Sequence, residues 1–323
     1  MTTIGADELT RLCVDALLRV DAEQTAATIL ARATVEAELL GNRAVGIAHL
    51  FDYLAGYREG RIVTGARPLV RRAAPAVLQA DAQGGLAQVA FAEARAELQA
   101  ATTDCGVAAL WISNSFTCGE LGYYPRSLAR QDLLALAMAN SSALMSLGGA
   151  PRSVLGTNPI AYAVPRPGTL PLVIDQASSA TAFVNIRAAA AAGRAIPSGW
   201  ALGPDGKPTE DAETALHGTL LPFGGHRGGN IALLVELLAT LSGASFSLDS
   251  PPFDRGSDSP AIGVFLLSID PGVFGGSVDR IAGLLRRLTD EQGVRLPALE
   301  VTAPPEAADV DPATLDRLRS AAY

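Results

Sequence analysis

The hydrophobic pattern of this chain changes period near residue 70, and that change limits the folds open to it. Leu9, Leu12, Cys13, Ala16, Leu17 and Val20 recur at i, i+3, i+4 spacing, which lays one apolar stripe along a helix. A second helix is predicted over Ala22 to Leu40 with Gly41-Asn42 as its C-cap, and a third from about Val45 to Tyr57. Beyond residue 70, short apolar runs alternate with Gly/Pro punctuation. Val107 to Ile112, Leu133 to Met138, Ala161 to Val164, Leu172 to Ile174 and Ile262 to Ile269 read as strands. Phe91 to Ala101, Ile186 to Ala192, Ile231 to Leu241 and Pro312 to Ala322 read as helices, and 249–258 as a polar, Pro-rich loop. The mixture calls for an α/β (α+β) fold. No GxGxxG follows an early strand, so the ordinary Rossmann fingerprint is absent.

Composition narrows the function. With 49% apolar and 18% charged residues over 323 positions, the chain can bury substantial cores. A net charge of -8 without a basic stripe argues against nucleic acid as a partner. The longest apolar runs, such as Ile262 to Leu267, are too short to span a bilayer, so no membrane role is expected. Cys13, Cys105 and Cys118 form no CxxC pair, and there are three histidines, so neither a disulfide framework nor a metal centre is expected. A reduced, cytoplasmic setting fits that cysteine use, and the N-terminus shows no signal-peptide h-region.

Several segments carry candidate chemistry. Gly224, Gly225, Gly228 and Gly229 surround His226 and Arg227 just before a helix. Such a stretch can bring backbone N–H groups and a guanidinium to a phosphate, or it can be a Gly-rich turn with a solvated arginine. Asp175 ends an apolar run, where a carboxylate can touch a ribose hydroxyl or simply cap a turn. His49 and Tyr53 lie four apart on one predicted helix face with Val45. Histidine is readily tuned as a proton donor, yet a lone helical histidine is often structural. The polar stretch Asn114 to Glu120 follows a strand, a common place for catalytic groups and equally for an ordinary turn. Cys118 within it is a weak nucleophile candidate, and His217 has no evident partner.

Taken together, the motifs make the chain resemble the malate/L-lactate dehydrogenase family over about residues 5–300. That family includes sulfolactate, ureidoglycolate and diketogulonate dehydrogenases and piperideine-2-carboxylate reductases. The resemblance is carried by Leu155-Gly156-Thr157-Asn158-Pro159-Ile160-Ala161, Ile174-Asp175-Gln176-Ala177, Ile196-Pro197-Ser198-Gly199-Trp200-Ala201, Leu221-Pro222-Phe223-Gly224-Gly225 and Gly119-Glu120-Leu121-Gly122-Tyr123-Tyr124. It implies a non-Rossmann fold with a helical N-terminal subdomain (1–70), a mixed-sheet cofactor and substrate domain (71–270) and a C-terminal helical segment (271–323) packing on the first. It also implies NADPH or NADH as cofactor, a small-molecule substrate, and a homodimer with the active site near the interface. Ser141, Asp175, Gln176, Ala177, Arg227 and Gly228 match the family's cofactor-contacting positions, with Arg227 replacing the usual Lys.

The departures lie at the chemistry. The family's Ser-His-Gly-Val-x-Arg motif reads Ala44-Val45-Gly46-Ile47-Ala48-His49, so its His is Val45 and its Arg is His49. Its Asn-Ser-Asn-His-Phe-Gly motif reads Asn114-Ser115-Phe116-Thr117-Cys118-Gly119, so its proton-transferring His is Thr117. Tyr53 and Gly119 stand at matching positions. Reducing a ketone requires hydride and a proton on the developing alkoxide, and losing the acid typically costs about 10²–10⁴-fold. A threonine by itself supplies no proton near pH 7. His49 is the leading replacement acid, with Glu120 and Tyr53 behind it; an imine substrate, already protonated on nitrogen, would need less help. An arginine clamps a carboxylate better than a histidine does, so loss of Arg at 49 argues against a simple 2-oxo acid. The expected activity is NAD(P)H-dependent reduction of C=N or an unusual C=O, in specialised biosynthesis. Ordinary 2-hydroxyacid dehydrogenase activity, and a scaffold repurposed for a non-redox reaction or ligand binding, stay open as alternatives.

Overall fold

The computed structural model describes residues 1–275, 278–296, 299 and 302–322. The chain opens with β1 (Thr2–Gly5), α1 (Ala6–Leu18), α2 (Gln24–Leu39) and α3 (Ile47–Arg58). Then come β2 (Leu69–Ala74), β3 (Val77–Asp81), α4 (Ala87–Cys105), β4 (Val107–Ser115), α5 (Tyr123–Ala129) and β5 (Leu134–Ala139). β6 (Ile160–Val164), β7 (Leu172–Gln176) and α6 (Phe183–Ala191) follow, with the short β8 (Ala201–Leu202), β9 (Pro208–Thr209), α7 (Ala212–Leu216) and β10 (Thr219–Leu220). α8 (His226–Thr240), β11 (Ile262–Ile269), α9 (Val278–Arg286), β12 (Ala307–Val310) and α10 (Pro312–Ala322) complete it.

The main sheet is mixed and seven-stranded, in the order β2-β3-β4-β11-β5-β6-β7. β11 is its central strand, antiparallel to both β4 and β5, while β3 and β4 are parallel. Both faces are covered, which explains why these strands read as continuous apolar runs. Ala108, Leu110 and Ile112 of β4, with Val264 and Leu266 of β11, pack against Phe91 and Leu98 of α4 and Leu128 of α5. Their sequence neighbours Ala109, Trp111 and Phe265, with Met138 of β5, face Val235 and Leu238 of α8, as a period of two demands. The Trp111 indole N–H donates to the Leu238 carbonyl (2.9 Å) and ties α8 to that face.

The helical subdomain draws its core from both ends of the chain. β1 pairs antiparallel with β12. Leu9 and Leu17 of α1, Leu30 of α2 and Leu50 and Leu54 of α3 close over Leu315 and Leu318 of α10. A third, smaller cluster around Met145, Leu155, Ile186, Ile196 and Leu220 joins α6 and α7 to the three-stranded β10-β8-β9 sheet.

Some boundaries and elements differ from the periodicity. α3 starts at Ile47, and Val45 belongs to a 3-10 turn, Arg43–Val45. α8 starts at His226, five residues before Ile231, so Arg227 and Gly228 lie in its first turn. β2, β3 and α5 have no counterpart among the predicted elements; β2 is an exposed edge strand with little apolar pattern to find.

Candidate active site

The entry into α3 is fixed by α2. Glu38, buried near the end of α2, accepts the Ile47 N–H on Oε2 (2.9 Å), and Arg43 Nε lies 3.9 Å from its other oxygen. Burial pushes the Glu38 carboxyl up, while the Ile47 N–H and the Arg43 charge pull it back. Position 46 must be glycine, because a Cβ there would collide with Glu38. The helix therefore begins where a side chain from elsewhere supplies its cap. His49 and Tyr53 follow on one side of it, their rings edge to face at 4.9 Å.

The segment after β4 crosses that side of α3. Gly119 takes φ +64°, and a Cβ there would sit 2.7 Å from Gln88 Nε2 and 3.1 Å from the Tyr53 hydroxyl. The close approach builds a continuous polar chain. Asp52 Oδ2 is 2.7 Å from His49 Nδ1, and His49 Nε2 is 3.2 Å from Thr117 Oγ1. Thr117 Oγ1 is 2.8 Å from the Tyr53 hydroxyl. Gln88 Nε2 donates to that hydroxyl (3.0 Å) and to the Cys118 carbonyl (3.1 Å). The Tyr53 phenol is pushed above its ordinary range by burial, so it stays protonated. Asp52 was not among the residues singled out from sequence; its i+3 spacing from His49 was the available signal.

Two carboxylates occupy the opposite wall. Glu120 accepts both terminal guanidinium nitrogens of the buried Arg126 and the Asn42 amide (2.6 Å). That bonding suits a charged carboxylate held as an acceptor. Asp175, next to last in β7, accepts the Gly122 N–H on Oδ2 (2.7 Å). Its side chain reaches solvent through the cavity but is otherwise ringed by protein. Burial, with the Glu120 charge adding to it against the Gly122 N–H, pushes its carboxyl up to about 6. Cys118 nearby is pushed up to about 12, chiefly by burial and also by the Asp175 charge. A thiol so placed is no nucleophile near neutrality.

These groups surround a cavity of about 640 Å³. His49, Thr117, Glu120, Ser141, Asp175, Gln176 and Ala177 all line it, as does Val45. Tyr53 lies behind Thr117. Arg227 and Gly228 are not brought to this cavity. Arg227 is exposed, and Gly228 is buried where a Cβ would collide with the Phe223 backbone. A separate cavity of about 570 Å³ lies beside them, walled by Gly148, Gly149, Gly224, Gly225 and His226. Thr157 and Pro159 of the Gly156-Thr157-Asn158-Pro159 turn line the main cavity. Asn158, at φ +35°, donates to the Ala232 carbonyl (3.0 Å) and to Glu236 (2.8 Å), pinning the turn to α8. Among the described residues, no group of three or more His, Cys, Asp or Glu is placed to hold a metal ion.

Comparison with known proteins places the chain among relatives. A family profile described as malate/L-lactate dehydrogenase matches residues 4–306. The chain is 36% identical to a (2R)-3-sulfolactate dehydrogenase (NADP(+)) of Chromohalobacter salexigens, over 98% of this chain and 97% of that one. It is 35% identical to a Δ1-pyrroline-2-carboxylate reductase of Pseudomonas fluorescens, over 92% of this chain and 90% of that one. Among solved structures, Δ1-piperideine-2-carboxylate reductase from Pseudomonas syringae pvar. tomato superposes with a TM-score of 0.92 at 32% identity, covering 99% of this chain and all of that one.

Proposed function

The chain belongs to the malate/L-lactate dehydrogenase family, and on that premise we propose that it is an NAD(P)H-dependent oxidoreductase that reduces a C=N or an unusual C=O bond. One observation carries the reading. The cavity that gathers Ser141 and Asp175–Ala177 also presents a histidine–threonine pair, where the family motifs have an arginine and a histidine. The relatives' names cover both bond types: pyrroline-2-carboxylate reductases act on C=N and sulfolactate dehydrogenase on C=O. The absence of an arginine at 49 favours C=N. A cyclic iminium carries the charge that draws hydride, so its demand on a protein acid is smaller than a ketone's.

The residues fit a nicotinamide cofactor. Ser141, Asp175, Gln176 and Ala177 line one cavity, and the lack of a Cβ at Gly122 lets its backbone come up to the Asp175 carboxylate. Asp175 has one oxygen on the Gly122 N–H, leaving the other for a ribose hydroxyl. When bound, the reduced cofactor supplies the hydride. The chain's own part is to orient the substrate over it and to deliver a proton from the His49 side. Arg43, which also lines the cavity, is the cation available to a substrate carboxylate.

We further place the protein in the cytoplasm as a homodimer. Cys13, Cys105 and Cys118 are all free thiols, and no helix among the described residues is long and apolar enough to cross a membrane. Leu233, Leu234, Leu237 and Leu241 on and just after α8, with Phe246 and Leu248, expose apolar surface that a second copy would cover.

The test is a fluorescence titration of the purified protein with NADH and NADPH, then turnover with Δ1-pyrroline-2-carboxylate, Δ1-piperideine-2-carboxylate and a panel of 2-oxo acids. Saturable binding and faster turnover of the cyclic imines are expected. Ordinary dehydrogenase rates on pyruvate or oxaloacetate would favour the 2-hydroxyacid reading. No binding of either cofactor near millimolar concentration would move the protein to a non-redox role.

A further inference from the structure

Resting on the reductase reading, we infer that Thr117 is the hydroxyl that hands the proton to substrate, with His49 as the proton reservoir behind it and Asp52 as a positioning residue that holds His49 in place. Asp52, His49, Thr117 and Tyr53 form one hydrogen-bonded line from solvent to the cavity. The Asp52 side chain is 37% exposed and the His49 side chain 11%. Tyr53 is buried, and Thr117 lines the cavity.

Counting donors and acceptors gives the direction. The Gln88 amide spends its N–H groups on the Tyr53 oxygen and the Cys118 carbonyl. The Thr117 hydroxyl donates to the Tyr53 oxygen (2.8 Å), which thus accepts from both Thr117 and Gln88. The Asp52 carboxylate holds the Nδ1 proton of His49 (2.7 Å), so Nε2 is the nitrogen that faces Thr117. With His49 protonated, Nε2–H donates to Thr117 Oγ1, while the Thr117 proton rests on the Tyr53 oxygen. Thr117 then has a proton donor behind it and, by rotating about its Cα–Cβ bond, can turn its own O–H from Tyr53 to a substrate in the cavity that it lines.

The step balances in that state. Hydride from the reduced nicotinamide brings two electrons to the substrate carbon, and the C=N or C=O π pair moves to the heteroatom. Thr117 O–H breaks as the heteroatom–H bond forms, and Nε2–H of His49 breaks as Thr117 O–H re-forms. The imidazole ends neutral, with Nδ1–H still on Asp52, and Nε2 takes its next proton back through Thr117 from water entering the cavity once product has left. A threonine alone has no acidic proton near neutrality, but one backed by an imidazolium passes the histidine's proton. The titratable and charged groups around His49 are Asp52 and Tyr53 on its own helix, Cys118 beside Thr117, and Arg43, Glu120 and Asp175 on the cavity wall. Phe253 packs edge-on against the ring at 5.6 Å and closes its remaining side.

Thr117→Val keeps the shape and removes the hydroxyl, Thr117→Ser restores it, and Asp52→Asn removes the charge beside Nδ1. With the cyclic imine or oxo acid that wild type turns over, Thr117→Val is expected to lower kcat by about 10²–10⁴-fold. Its Kd for the reduced cofactor and its melting temperature should match wild type, and Thr117→Ser should recover most of the rate. Asp52→Asn should lower kcat and move the alkaline limb of its pH profile to lower pH, since removing the carboxylate disfavours the imidazolium. Wild-type kcat in Thr117→Val, or a fall in Asp52→Asn with an unmoved pH profile, would overturn the relay while leaving the reductase reading intact. A wild-type protein that neither binds the cofactors nor turns over any substrate would overturn the reductase reading, and the relay with it.

Discussion

At the scale of single residues, the site holds one group that favours function over stability. Asp175 titrates near 6 in the folded chain, against about 4 for an unfolded aspartate. Folding therefore favours its protonated form. That stabilisation is complete below about pH 4 and is lost as pH rises through 6. Asp175→Asn keeps an acceptor for the Gly122 N–H and carries no charge to desolvate. Thermal scans should show it melting above wild type at pH 7.5 and level with it at pH 4, while its Kd for reduced cofactor weakens at pH 7.5. Equal melting at both pH values would show that the protein around the carboxylate does not disfavour its charge. At this scale the sequence was informative about which residues meet and silent about how. His49, Thr117, Glu120 and Asp175 share one cavity, yet Glu120 is committed to Arg126, a partner six residues on that no spacing rule selects. Asp52 escaped notice because an exposed helical carboxylate looks like any other until its histidine is seen to face inward.

At the scale of elements, the position of His49 depends on how α3 begins. Apolar spacing runs back to Val45 and cannot see the interruption. Glu38 interrupts it by drawing the Ile47 N–H, with Gly46 leaving room. Glu38→Ala leaves a buried N–H without an acceptor, which costs about 1–3 kcal/mol, while Glu38→Gln retains most of the stability. Urea denaturation should rank them in that order, and kcat should fall in the alanine variant as the His49–Thr117 contact loosens. The same logic applies to α8. Its first turn, His226 to Gly229, contains two buried glycines that periodicity assigns to a loop, because packing against Phe223 and Leu147 replaces the missing side chains. Strands buried on both faces, such as β4 and β11, were legible because Val107–Ile112 and Val264–Leu267 are unbroken apolar runs. The edge strand β2, largely exposed, was not.

At the scale of the whole molecule, the helical subdomain is a clasp between the two ends of the chain. β12 pairs with β1, and Leu315 and Leu318 of α10 are fully buried against α1. Leu318→Ala should lower unfolding free energy by about 2–5 kcal/mol, measured by chemical denaturation, although Leu318 is not among the residues that line the cavity. A loss under 1 kcal/mol would mean that α10 is dispensable to that core. No local pattern predicts that residues 2–5 and 307–310 pair; only the family resemblance suggested that the ends meet.

The strand order has a consequence during synthesis. β4 and β5 are both finished by Ala139, but the strand that separates them in the sheet, β11, ends at Ile269. At ribosomal rates of about 5–20 residues per second, the two wait on the order of ten seconds with their facing edges unpaired. During that interval each edge is free to pair with a neighbouring nascent chain, or with the other in a false register. The growing polypeptide is thus most vulnerable to aggregation in mid-translation, and its yield in cells should respond to chaperone supply and to slow codons upstream of residue 262 more than to the stability of the finished protein.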